Sequence, residues 1–232
     1  MPDEKNGPSQ TDDFTLGAPA LVCRWRLANR TLPLENRHLR ALSRRRVSGV
    51  PVSAQLVAWA KQHIEWTLGG GAARHPDGVL MVVVDECGHA AMTVGPYEPL
   101  PATGALDLAE RARQAALEAA TSGVAPEALW VVRGDSLVCG SSADLPASGT
   151  ASLVRDLART LGIGVSHDEG LAPAVGDGSA AFDEAFLVSD EHGVVPASDA
   201  AGPRSQRLAE AYARLLASAR RRVPGAEGVT HA

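Results

Sequence analysis

Three times along this chain, two strand-forming runs follow one another across a short turn, and helical segments separate the pairs. "GVLMVVVDE" and "AAMTVGPY" flank the turn "CGH"; "ALWVVRG" precedes "SLVCG"; "EAFLVSDEHGVVPAS" reads as strand, turn and strand. In "AQLVAWAKQHIEWTL" the residues Leu56, Val57, Ala60, Ile64 and Leu68 recur at helical spacing, with Ser53 placed to cap the segment and Gly69–Gly71 to end it. "LDLAERARQAALEAA" is helical with Gly123 just beyond it, and "ASLVRDLARTLG" puts Leu153, Val154, Leu157 and Leu161 on one face. "SQRLAEAYARLLASA" closes the chain with Leu208, Tyr212, Leu215 and Leu216 inward. Interleaving of this kind predicts a mixed α+β fold in two lobes.

"EPLPATG", with two prolines and a glycine, is the expected linker. The expected layout is a polar tail over 1–18, a first lobe over 19–97, a linker over 98–104, a second lobe over 105–222 and a tail over 223–232. A chain of 232 residues, 45% hydrophobic and 21% charged, has the make-up of an ordinary globular protein. Its net charge of −5 gives no reason to expect nucleic acid, so the Arg44–Arg46 and Arg220–Arg222 runs read as solvated helix ends. No run reaches the ~18 apolar residues of a membrane span, and "MPDEKNGPSQTDD" is unlike a signal peptide. The expected location is the cytoplasm. Cys23, Cys87 and Cys139 are odd in number and far apart, and the histidines lack ligand spacing, so no metal is expected. His167, in "SHDEG", reads as a surface-turn residue.

Several of these segments resemble the class IV aminotransferases, the fold-type IV pyridoxal phosphate (PLP) enzymes. That group includes D-amino-acid aminotransferases, branched-chain aminotransferases and aminodeoxychorismate lyases. "FDEAFLVSDEHGVVPAS" is similar to the family's DE-x-F/L-L segment and its turn into G-V-x-P-V. "LVRDLARTLGI" resembles the helix after the family's G-I-T-R, "LVCGSSADL" its E-G/T-S/T-x-x-N strand and turn, and "ENRHLRALSRR" its H-L-x-R-L helix. The resemblance spans roughly residues 20–216 and implies a two-lobed, D-amino-acid aminotransferase-like architecture. Only four positions separate Asp144 from Ser148, where the family inserts more chain, so the second lobe is expected to be shortened.

The residues that the family's chemistry requires are replaced. A lysine should form the Schiff base, yet the aligned positions are Ala105 or Leu106, and Lys5 and Lys61 are the only lysines in the chain. Cys139 stands where a carboxylate should face the pyridine nitrogen, and a neutral thiol supplies no fixed negative charge. The strand expected to carry the phosphate arginine, about six residues before Gly88, offers Leu80, Met81 and Val82. G-I-T-R becomes Ser148, Gly149, Thr150 and Ala151. Asp190 takes the place of a phosphate-binding threonine and would repel a dianion by ~1–4 kcal/mol.

From these losses we expect no cofactor, with Gly149, Thr150, Ser189 and Asp190 as remnants of a phosphate cup. The expected function is PLP-independent catalysis on a small molecule in the interlobe cleft, in bacterial biosynthesis, with Cys139, Asp144 and His192 as catalytic candidates. Cys139 itself reads first as a small replacement in a pocket wall that has lost its task, ahead of a reactive thiol. Two alternatives stay open: a non-catalytic pseudo-enzyme that binds a small molecule or partners an active homologue, and a PLP-dependent enzyme read in the wrong register. The expected assembly is a homodimer or a heterodimer with a homologue.

Overall fold

The computed structural model describes residues 15–221. The tails expected over 1–18 and 223–232 lie outside the described residues except for 15–18, as do Lys5 and Arg222. Two sheets organise the rest. The first is antiparallel, in the order β1 (Pro19–Arg26), β4 (Val79–Asp85), β5 (Ala90–Gly95). Between β1 and β4 run α1 (Glu35–Leu42), a small hairpin of β2 (Arg46–Val47) and β3 (Val50–Pro51), and α2 (Ala54–Gly70). Ser53 Oγ accepts the Leu56 N–H at 3.1 Å, as the sequence anticipates for a cap. Alternation along β1 sends Leu21, Cys23 and Trp25 into a core shared with Leu42, Ile64, Leu80 and Val82. Arg24 and Arg26 fall on the other face.

The second sheet has the order β10 (Gly193–Pro196), β9 (Glu184–Ser189), β6 (Ala128–Arg133), β7 (Ser136–Cys139), β8 (Gly164–His167). Its pairs are antiparallel except β7–β8. Helices cover both faces, which is why "ALWVV" and "AFLV" are apolar without interruption. Leu129 and Val131 face α3 (Ala105–Ser122) and α5 (Leu171–Gly176), while Trp130 and Val132 face α4 (Gly149–Thr160) and α6 (Pro203–Arg220). Gly123 ends α3 in the left-handed region, at φ 63°. No helix among the described residues is long and apolar enough to cross a membrane.

The strand directions place the site. A parallel β7–β8 pair requires a crossover, and α4 supplies it. The C-terminal ends of β7, β8 and β9 and the start of β6 therefore share one edge of the sheet. β1 runs against that edge: Val22 N–H donates to the Gly123 carbonyl at 3.1 Å and Arg26 N–H to the Asp190 carbonyl at 3.0 Å.

The hairpin β2–β3, the strand β8 and the six-residue α5 are additions to the sequence reading. β8 corrects the placement of His167, which ends a strand, half-buried, rather than sitting in a surface turn. Its Nδ1 lies 2.9 Å from the Ser141 carbonyl.

Candidate functional site

The N-terminus of α4 points its free N–H groups into the junction between the two sheets. Such a terminus attracts an anion, because the first-turn N–H groups have no partner within the helix and the helix dipole is positive there. Here the anion is the Asp190 side chain. Thr150 N–H donates to its Oδ1 at 2.7 Å and Gly149 N–H to its Oδ2 at 3.3 Å, while Ser148 Oγ accepts the Ala151 N–H at 3.2 Å.

His38 of α1 completes the arrangement. Its Nδ1 lies 3.4 Å from Asp190 Oδ2, its ring stacks on Trp25 with centroids 5.2 Å apart, and its side chain is 3% exposed. Burial alone would raise the Asp190 pKa, but the His38 charge and the Thr150 N–H outweigh it and hold the carboxyl at about 2. Three remnant-cup residues, Gly149, Thr150 and Asp190, thus come together. Ser189 does not join them, because successive side chains on β9 alternate; its hydroxyl lies 3.3 Å from Glu127 Oε1 instead.

Behind this cluster is a cavity of about 40 Å³, lined by Cys23, Trp25, His38, Arg45, Cys139 and Arg155 among others. Water occupies roughly 30 Å³ per molecule and small-molecule sites span about 300–1,000 Å³, so the space suits about one water. Ala41 and Arg45 of the α1 segment face it, whereas Leu80 and Val82, on the strand where the phosphate arginine was sought, are in the first lobe's core.

The three catalytic candidates do not converge. Cys139 is in the cavity wall, 2% exposed, with Sγ 3.1 Å from Ser141 Oγ. Asp144 is exposed on a turn beside an outer groove shared with Arg44–Arg46. His192 belongs to the β9–β10 turn, where it faces Glu127 and Tyr97. A thiol–carboxylate–imidazole arrangement is therefore not formed.

Burial pushes the Cys139 thiol up, with Ser141 and Arg155 pulling the other way, and pushes Cys23 up to about 12. Cys87 is exposed. Iodoacetamide at pH 8 is thus expected to alkylate Cys87 in the native protein and all three cysteines only after denaturation, read by peptide mass. Native alkylation of Cys139 as fast as Cys87 would contradict its place in the wall.

Around His192 lies a second polar cluster, which sequence reasoning missed. Arg111 holds Glu127 with both ends of its fork, at 2.8 and 3.1 Å. His192 Nε2 is 3.7 Å from Glu127 Oε1, its Nδ1 is 3.5 Å from the Tyr97 hydroxyl, and the Arg26 guanidinium sits 3.2 Å from the centre of the Tyr97 ring. Burial lowers the His192 pKa despite the charge of Glu127 and favours the neutral ring. Glu127, Glu191 and His192 place one ligand atom each within 4.8 Å of one another. Both Glu127 oxygens already accept from Arg111, whose positive charge disfavours a cation beside them. The residues here come from α3, β1, the segments after β5 and before β6, and the β9–β10 turn, and of them only His192 was a candidate in the sequence.

No protein-family model and no curated protein matches the chain. Solved structures do. The PLP-bound form of a hypothetical aminotransferase from Mycobacterium tuberculosis superposes with a TM-score of 0.54 at 16% identity, over 90% of this chain and 94% of that one. A fold IV transaminase from Curtobacterium pusillum gives 0.54 at 15%, over 85% and 86%. The 4-amino-4-deoxychorismate lyase from Pseudomonas aeruginosa gives 0.51 at 17%, over 82% and 88%.

One expectation needs correcting here. That no cofactor belongs with this chain was argued from replaced residues alone, and the neighbours sharing its fold over nearly its whole length include PLP-bound chains. At these identities the likeness is one of architecture, and it agrees with the order of sheets and helices described above. The chain has the class IV aminotransferase and aminodeoxychorismate lyase-like fold.

Proposed function

We propose that this chain uses the fold as a non-catalytic binding or partner protein and does not perform lysine–aldehyde chemistry. One observation carries the proposal: the anion-binding end of α4 is filled by the chain's own carboxylate, Asp190. PLP is the group against which the residues must be tested, since structural neighbours hold it. Held in the manner the resemblance implies, it needs an amine, a carboxylate and open donors for its phosphate. The one lysine among the described residues, Lys61, is exposed on α2 and borders a different groove, with Glu35 and Arg30. The position facing the ring nitrogen holds a buried neutral thiol. The phosphate donors are taken. These residues do not fit PLP in that covalent, phosphate-anchored mode.

An intact core with a filled site suits a protein retained for binding, either to a small ligand or to a homologous chain in a mixed dimer. A second reading, an enzyme using His192 as its acid–base group, draws on that residue's neutral ring between Tyr97 and Glu127.

Borohydride reduction of the pure protein with PLP tests the proposal. Peptide mass analysis is expected to show no pyridoxyl increment on the Lys61 peptide above that of a denatured control. A stoichiometric adduct there, with a visible chromophore before reduction, would overturn it.

A further inference from the structure

The helices α1 and α4 meet along a groove of about 300 Å³ with an unusual charge balance. Arg37, Arg40 and Arg44 line it from the α1 side and Arg155 and Arg159 from α4, against one carboxylate, Asp156. Five positive charges against one leave an excess of four, on a chain whose net charge is −5. Asp156 is spoken for twice, by Arg37 at 2.7 Å and Arg159 at 2.9 Å. The remaining three arginines have no carboxylate partner among the described residues. Arg40 Nε donates to the Asn36 carbonyl of its own helix, and the Arg44 guanidinium has no hydrogen bond or ion pair to any of the described residues.

Arg155 is the best placed of the three. Its Nη2 donates to His167 Nε2 at 2.8 Å, and its Nε is buried without a partner. A guanidinium can only donate, so His167 Nε2 accepts, and the proton of the neutral ring belongs on Nδ1, facing the Ser141 carbonyl. His167 is thus a positioning residue that aims Arg155 from behind.

Like charges gathered in one concavity repel each other until an anion joins them, and guanidinium forks match phosphate oxygens in pairs. We propose that this groove binds a small anion bearing adjacent phosphate groups, with one phosphate on Arg155 and the next reaching Arg40 and Arg44 across the groove. The volume lies at the lower end of the range for small-molecule sites; four of the arginines sit on two packed helices and Arg44 on the turn that follows α1. A small ligand fits that concavity better than a nucleic acid, which follows an extended basic face. The groove adjoins the cavity behind the Asp190 cluster, with Arg155 in the walls of both, but its binding does not depend on the function proposed above.

Calorimetric titration of the full chain with inorganic pyrophosphate at constant ionic strength tests this. One equivalent is expected to bind, at least about tenfold tighter than inorganic phosphate, and Arg44→Gln and Arg155→Gln are each expected to weaken it about tenfold. Arg44 is exposed, so that variant is expected to fold, and Arg204→Gln, outside the groove, should leave binding unchanged. Tighter binding of ADP than of pyrophosphate would identify a diphosphate ester as the source of the anion, and the reverse would identify free diphosphate. Binding of phosphate and pyrophosphate with equal affinity, indifference to Arg44→Gln, or a preference for a single-stranded oligonucleotide would each overturn the proposal.

Discussion

Asp190→Ala is expected to cost about 3–5 kcal/mol of folding stability, the range for removing one partner of a buried charged pair. The loss leaves the Gly149 and Thr150 N–H groups without acceptors and His38 without its carboxylate, all in a region closed to solvent. Urea unfolding of both proteins measures the difference. Acid titration gives a second readout. The folded-state pKa, about 2, lies below the ordinary 3.8, so the ionised carboxylate contributes stability that is fully present above about pH 4. That contribution, about 2 kcal/mol, disappears as the pH falls from 4 through 2. Other carboxylates titrate in the same window, so the quantity to compare is the gap between wild type and Asp190→Ala, which should narrow across it. Two parallel curves would show that Asp190 is not the anion on α4. Inorganic phosphate should stabilise Asp190→Ala more than wild type, because the variant frees the donors that the carboxylate fills.

How much of this was legible in the sequence depends on how far apart the contributing residues are. Helices such as α2, α3, α4 and α6, and strands such as β4 and β9, declare themselves through periodicity within one segment, and Ser53 and Gly123 mark ends that the structure keeps. β8 gives no such signal: four residues with alternating exposure become a strand because β7 is there to pair with them. α5 is short and contains Pro173, which lowers any helical expectation. At the site, the sequence flagged Asp190 as hostile to a phosphate. It could not show that Asp190 replaces one, because the donors lie 40 residues before it and His38 far earlier in the first lobe. Cys139 and Asp144 are close in sequence, yet one ends a buried strand and the other is on an exposed turn. Proximity along the chain was a poor guide to a shared cavity. Glu127 and Arg111 left no motif at all; their pairing exists only once α3 packs beside β6.

Gly193→Ala is expected to cost about 2–5 kcal/mol, through two separable terms. The residue holds φ at 77°, where an L side chain costs roughly 1–2 kcal/mol. An added Cβ would also stand 2.1 Å from a carbon of the Tyr212 ring, and overpacking of this kind costs about 1–3 kcal/mol more. Tyr212 is 6% exposed on α6 and packed against Phe186, Val188 and Val194, so it cannot simply swing away. Gly178 supplies the control. It has the same φ of 77° with nothing within 4 Å of the added carbon, so Gly178→Ala should show the backbone term alone. Equilibrium unfolding of the two variants then isolates the steric term. A larger loss at Gly193 means that Tyr212 pins the β9–β10 turn, and with it the positions of Asp190 and His192 at the lobe junction. Equal losses would mean that the turn can shift past the ring. The placement of Asp190 on α4 would then have to come from β9 pairing and its two N–H donors alone.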